Sequence, residues 1–103
     1  MAFGHPQQGD PNAAVLRKEA GRYLKDLREK ADLTQNALSK LLGFEYYTMI
    51  SQVEGGKARI PPDKMLAWAK AVKTDPKVFA RTLLRYYDPF MWQVLFGSDK
   101  GGS

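Results

Sequence analysis

Cysteine is absent from this sequence, which excludes disulfides, thiolate metal sites and thiol nucleophiles and leaves only consistency with the cytosol. Histidine occurs once, at His5, with no neighbouring acid or ligand, so neither metal binding nor acid–base catalysis can be built on it. No glycine-rich phosphate loop and no carboxylate pair in a recognisable setting is found; no catalytic residue, cofactor or metal ligand is therefore assigned. Apolar runs stay short of the ~20 residues that cross a bilayer. The opening Met1-Ala2-Phe3-Gly4-His5-Pro6 lacks the basic-then-apolar order of a secretory signal. Together these absences give the expectation of a cytoplasmic protein that is neither an enzyme nor a membrane component. Period-two alternation and internal repeats are missing as well, which excludes sheets and solenoids.

What remains is an ordinary globular composition. The 103 residues are 44% hydrophobic and 26% charged, enough for one domain provided most apolar residues join its core. Sixteen Lys and Arg against eleven Asp and Glu give a net charge of +5. That balance permits a polyanionic partner without requiring one.

Proline and glycine punctuate the chain. Asp10-Pro11 offers a capping carboxylate and a first-turn proline, and the spacing of Ala13, Leu16, Ala20, Tyr23, Leu24, Leu27 and Ala31 predicts a helix to about Lys30. Arg17, Lys18, Arg22, Lys25 and Arg28 are expected on its solvated side. Thr34 opens a second helix with Ala37, Leu38, Leu41 and Leu42 inward, closed by Gly43. A third is expected from about Tyr46 to Glu54, with Ile50 and Val53 inward and Gly55-Gly56 as its stop. Lys57 to Pro62 should be extended. Pro62-Asp63 restarts a helix through Met65, Leu66, Trp68, Ala69 and Val72, with Trp68 a core residue. Thr74-Asp75-Pro76 opens another through Val78, Phe79, Leu83, Leu84 and Tyr86, and Asp88-Pro89 a last, very apolar one to Phe96. The chain thus reads as all-α: a compact bundle of five to six short helices in residues 10–96, between flexible tails at 1–9 and 97–103.

The second and third helices, separated by a glycine turn, have the spacing of a helix-turn-helix, whose second helix enters the DNA major groove. The run Leu33-Thr34-Gln35-Asn36-Ala37-Leu38-Ser39-Lys40-Leu41-Leu42-Gly43, followed by Ile50-Ser51-Gln52-Val53-Glu54-Gly55-Gly56-Lys57, resembles the lambda-repressor-like, or XRE/Cro-type, helix-turn-helix family over about residues 21 to 80. The resemblance implies double-stranded DNA as partner and transcription regulation as function. It places Gln35 and Asn36 at the phosphate backbone, with Gln35 also bracing the recognition helix. Ser39 takes a small-residue position at the helix crossing, and Glu54 a common acidic position at the recognition helix's end. Tyr46, Tyr47, Thr48, Ser51 and Gln52 then become the candidate base contacts, and Lys57 and Arg59 contact the backbone from the following loop.

One departure stands out: the turn from Gly43 to Ile50 carries one residue more than the family usually has, and Glu45 stands near the usual Ser or Thr cap. The added residue either lengthens the turn or starts the recognition helix early. Tyr46 and Tyr47 are neighbours about 100° apart on a helix, so one of them could instead be structural. A second feature is the cluster Tyr86, Tyr87, Phe90, Met91, Trp92, Val94, Leu95 and Phe96. It either folds back on the first helix to complete the core or forms a dimer interface. The expected function is that of a homodimeric repressor on a near-palindromic operator, any small-molecule effector being left open. The alternative is a protein-interaction adaptor using the C-terminal aromatic helix, with DNA binding secondary.

Overall fold

A computed structural model of the chain describes residues 11–97. The expected cap at Asp10, His5, the 1–9 tail and residues 98–103 of the C-terminal tail lie outside the described residues. Six α-helices and one short 3-10 turn make up the described part: α1 (Pro11–Lys30), α2 (Gln35–Leu41), α3 (Thr48–Glu54), the 3-10 turn (Pro62–Lys64), α4 (Met65–Ala71), α5 (Pro76–Tyr87) and α6 (Pro89–Phe96). The fold is all-helical, as the proline and glycine punctuation implies.

Local chemistry explains where the helices begin and end. The Thr34 hydroxyl accepts a hydrogen bond from the Ala37 N–H at 3.0 Å, and the Asp75 carboxylate accepts from the N–H groups of Lys77 and Val78. Each thereby satisfies donors that a helix start leaves open. Asp88 makes no such side-chain cap for α6, although Asp88-Pro89 has the same sequence pattern. Gly43, at φ 81°, takes the left-handed backbone after α2 that a side chain would oppose.

The core lies between α1, α2, α3, α4 and α5. Ala20 and Leu24 from α1 meet Leu38 and Leu42, Ile50 and Val53, Ile60, Trp68, Ala69 and Val72, and Phe79 and Leu83. Three residues expected inward, Leu41, Leu66 and Val78, are exposed instead. Their spacing gives the reason: Leu38/Leu42, Met65/Trp68/Ala69/Val72 and Phe79/Leu83 fix each buried face, and the three lie about 100° of helix rotation from its centre. On α2 that rotation brings Ser39 into the core, where its hydroxyl donates to the Asn36 carbonyl at 2.8 Å.

Helix α6 packs principally on α5. Arg81 lies 5.3 Å from the centre of the Phe96 ring and Arg85 5.0 Å from that of Trp92, two cation–π contacts between the helices. None of its residues is buried, and a cleft of about 670 Å³ lined by Leu16, Arg85, Tyr86 and Trp92 separates it from α1. So α6 does not fold back to complete the core. From the aromatic cluster, only Tyr86 and Tyr87, both on α5, pack against it. None of the helices among the described residues is long and apolar enough to cross a membrane.

Candidate nucleic-acid interface

Helix α3 has seven residues, too few to hold a helical shape alone. Its inward side chains, Ile50 and Val53, are fully buried, and this leaves Thr48, Ser51 and Gln52, at spacings of three and four, on one exposed edge. The extra residue lengthens the turn: α3 begins at Thr48, two residues later than expected, with Tyr47 at the cap position and no side-chain cap. Glu45 is exposed and takes no part in capping. Both tyrosines face solvent, Tyr46 at 68% and Tyr47 at 54% exposure, so neither is a core residue. All five candidate base contacts are exposed, Tyr46 and Tyr47 in the turn before α3 and Thr48, Ser51 and Gln52 on the helix itself.

Helix α1 holds α3 in place through a seam of Arg17, Gly21, Leu24 and Arg28. At Gly21 the two backbones approach so closely that a Cβ would fall 2.1 Å from the Glu54 carbonyl oxygen, a collision no larger residue escapes without moving a helix. Arg28 then forms a two-pronged ion pair with Glu54, Nε to Oε2 at 2.7 Å and Nη2 to Oε1 at 3.0 Å, while its Nη1 donates to the Leu33 carbonyl at 2.8 Å. The pair is well shielded, with 9% and 4% of the two side chains exposed. The hydrogen bond to Glu54 raises the arginine's pKa above its already high ordinary value, against the opposing effect of burial. Arg17 adds a 3.3 Å bond from Nε to the Gly56 carbonyl.

Arg28 was expected on the solvated face, and its burial has a plain cause. It follows Ala20 and Leu24 at intervals of four, and Arg17, Gly21, Leu24 and Arg28 run at spacings of four, three and four. That is the signature of one helix face, hidden in the sequence because its members include glycine and arginine rather than aliphatic residues.

Gln35 completes the brace, its Nε2 donating to Glu54 Oε1 at 3.0 Å. It thus ties the start of α2 to the end of α3, while Asn36 beside it is exposed. Lys64, which sequence reasoning passed over, donates its ammonium to the Leu42 carbonyl at 2.9 Å, placing a cation at the negative end of α2. After α3 the loop folds back, the N–H groups of Lys57 and Ala58 both reaching the Gln52 carbonyl. Lys57 is exposed. Arg59 is directed elsewhere: it pairs with Asp88, at the junction of α5 and α6, with Nη2 to Oδ2 at 2.6 Å.

A short α2, a glycine turn and an α3 with apolar residues inward and small polar residues outward define a helix-turn-helix protein, the class whose second helix serves DNA binding. The family-level comparison agrees. The helix-turn-helix domain model matches residues 19–82, and the chain belongs to that family, in keeping with its lambda-repressor-like pattern. The matched stretch includes most of the seam on α1 and all of α2 and α3, and it ends before α6. Among curated proteins no match is found.

Proposed function

We propose that the chain is a transcriptional regulator that binds double-stranded DNA sequence-specifically, as a homodimeric repressor on a near-palindromic operator. The observation that carries this reading is the exposed polar edge of α3, held on a fully buried inner face and fastened to α1. Gln52 is suited to pair bidentately with adenine, Thr48 and Ser51 to bond base edges, and the Thr48 methyl to pack on thymine. Tyr46 and Tyr47, in the lengthened turn, offer hydroxyls to phosphates or rings to base methyls. Lys57, Asn36 and the second amide hydrogen of Gln35 are available to phosphates, where they supply affinity and salt dependence.

Dimerisation draws its support from α6. Phe90 is 86% and Val94 79% exposed, and Met91, Leu95 and Phe96 are exposed as well, a concentration of apolar surface that calls for a cover. One short recognition helix reads only a few base pairs, and a twofold pair placing two of them about 34 Å apart gains both affinity and specificity. Repression then follows from blocking polymerase access.

Selection of bound duplexes from a random pool by the purified chain, at near-physiological salt, tests the reading. The expected product is a motif with twofold symmetry and half-sites about one helical turn apart. Replacing Gln52 by Ala should then relax one base pair by about 1–3 kcal/mol, whereas Lys57→Ala should weaken all sequences alike. A pool without enrichment refutes sequence-specific recognition and favours the adaptor reading, in which α6 meets another protein.

A further inference from the structure

Arg59 lies in the loop where phosphate-binding cations are expected, yet its charge is already matched. Its two terminal nitrogens face the two oxygens of Asp88 at 2.6 and 3.4 Å, and its Cζ sits 4.8 Å from the centre of the Tyr87 ring. The backbone of the same loop is drawn to the same place, the Ile60 N–H lying 3.4 Å from the Tyr87 hydroxyl. Asp88 has no other visible task for its carboxylate, since it caps no helix.

The pair is open to water, with 51% and 41% of the two side chains exposed, so it contributes little to stability. Its geometry has more consequence. A fork of guanidinium nitrogens on two carboxylate oxygens is the arrangement that the same group makes with a phosphate, so Asp88 occupies Arg59 in the way a nucleic-acid backbone would. A cation paired in this way releases no counterion when DNA binds, whereas the exposed Lys57 in the same loop does.

We propose that Asp88 withholds Arg59 from the DNA backbone, so that this carboxylate lowers the sequence-independent part of the protein's DNA affinity by one phosphate contact. The inference rests on the proposed DNA binding and adds to it a residue outside the recognition helix, beyond the stretch matched by the family. Breaking the pair gives the protein one further phosphate contact.

The test compares the full unaltered chain with Asp88→Asn, Arg59→Ala and the double variant, on a random-sequence duplex and on the selected operator, across a range of salt concentrations. Asp88→Asn is expected to tighten binding to both duplexes about fivefold near 0.15 M salt and to steepen the salt dependence by about 0.9 in log–log slope, the signature of one more phosphate contact. Arg59→Ala alone should leave the slope unchanged, and the double variant should behave like Arg59→Ala. Asp88→Ser, which removes the carboxylate without supplying an amide, must reproduce the gain, and thermal unfolding verifies that each variant is folded. The inference is overturned if Asp88→Asn leaves affinity and slope unaltered. It is equally overturned if the gain survives without Arg59, for then loss of a negative charge alone explains it, or if Arg59→Ala by itself flattens the slope. Absence of DNA binding by the unaltered chain would overturn the proposed function and this inference together; binding without the Asp88 effect would overturn the inference alone.

Discussion

Helices α3 and α6 are nearly the same length, seven and eight residues, and they solve opposite problems. In α3 Ile50 and Val53 are buried while Thr48, Ser51 and Gln52 are exposed, and the helix is fastened to α1 by an ion pair and a backbone approach that tolerates only glycine, and to α2 by the Gln35 amide. In α6 no residue is buried, nearly every side chain is apolar, and the helix is held to α5 by arginine–aromatic contacts at its surface. The contrast separates two ways a short helix persists. One is fixed by the fold, which leaves its polar outer edge exposed. The other lies on the surface of the fold with its apolar outer face exposed.

The largest expected effect breaks the first helix's attachment. Glu54→Ala leaves Arg28 as a shielded cation without its counterion and should cost about 3–5 kcal/mol, read as a fall in denaturant midpoint; any DNA binding should be lost with it. Gly21→Ala comes next. The helix-propensity gain of about 1 kcal/mol is outweighed by the collision with the Glu54 carbonyl, for a net loss of about 1–3 kcal/mol. A neutral or stabilising outcome would show that α1 and α3 are not locked at this point.

The same experiment on the other helix should leave stability alone. Phe90→Glu with Val94→Glu should change the unfolding free energy of the protomer by no more than about 0.5 kcal/mol, while sedimentation is expected to report loss of the proposed dimer. Unfolding of the double variant would instead make α6 as integral as α3 and erase the distinction.

The smallest effect concerns pH. Burial raises the phenol pKa of Tyr87, against the lowering influences of the Ile60 N–H and Arg59, and burial likewise raises that of Tyr23. The folded chain then keeps protons that the unfolded chain releases near pH 10, so the stabilisation is complete below about pH 10 and is lost as pH rises through the folded values. Denaturant midpoints measured on the alkaline side should fall with pH, and Tyr87→Phe should make that fall shallower.

Much of this was legible in the sequence. Proline and glycine marked the helix ends within a residue or two, and Ile50 and Val53 were recognisable as the inner face of α3 because their spacing is that of one helix side. The seam on α1 was not, because Gly21 and Arg28 carry no hydropathy signal; what places them inside is the partner they meet, and that partner lies about thirty residues further on. The start of α3 was misplaced for a different reason. An added residue can extend a turn or a helix, and neither Glu45 nor Tyr46 has a propensity strong enough to choose. For Arg59, position in the loop suggested a phosphate ligand, while its neighbour Asp88 could be seen only once α5 had been folded back beside it.

The close crossing at Gly21 has a consequence for how the molecule would be assembled and sensed. Two turns of helix gain no shape until α1 is formed and seated against them, so the reading edge and the whole domain should appear in one cooperative step. A duplex that recognises that edge is then a ligand for the folded state only. At a hundredfold excess over its dissociation constant it would raise the unfolding free energy by about 2.7 kcal/mol, so that, on the proposed function, the melting temperature would rank duplexes by affinity.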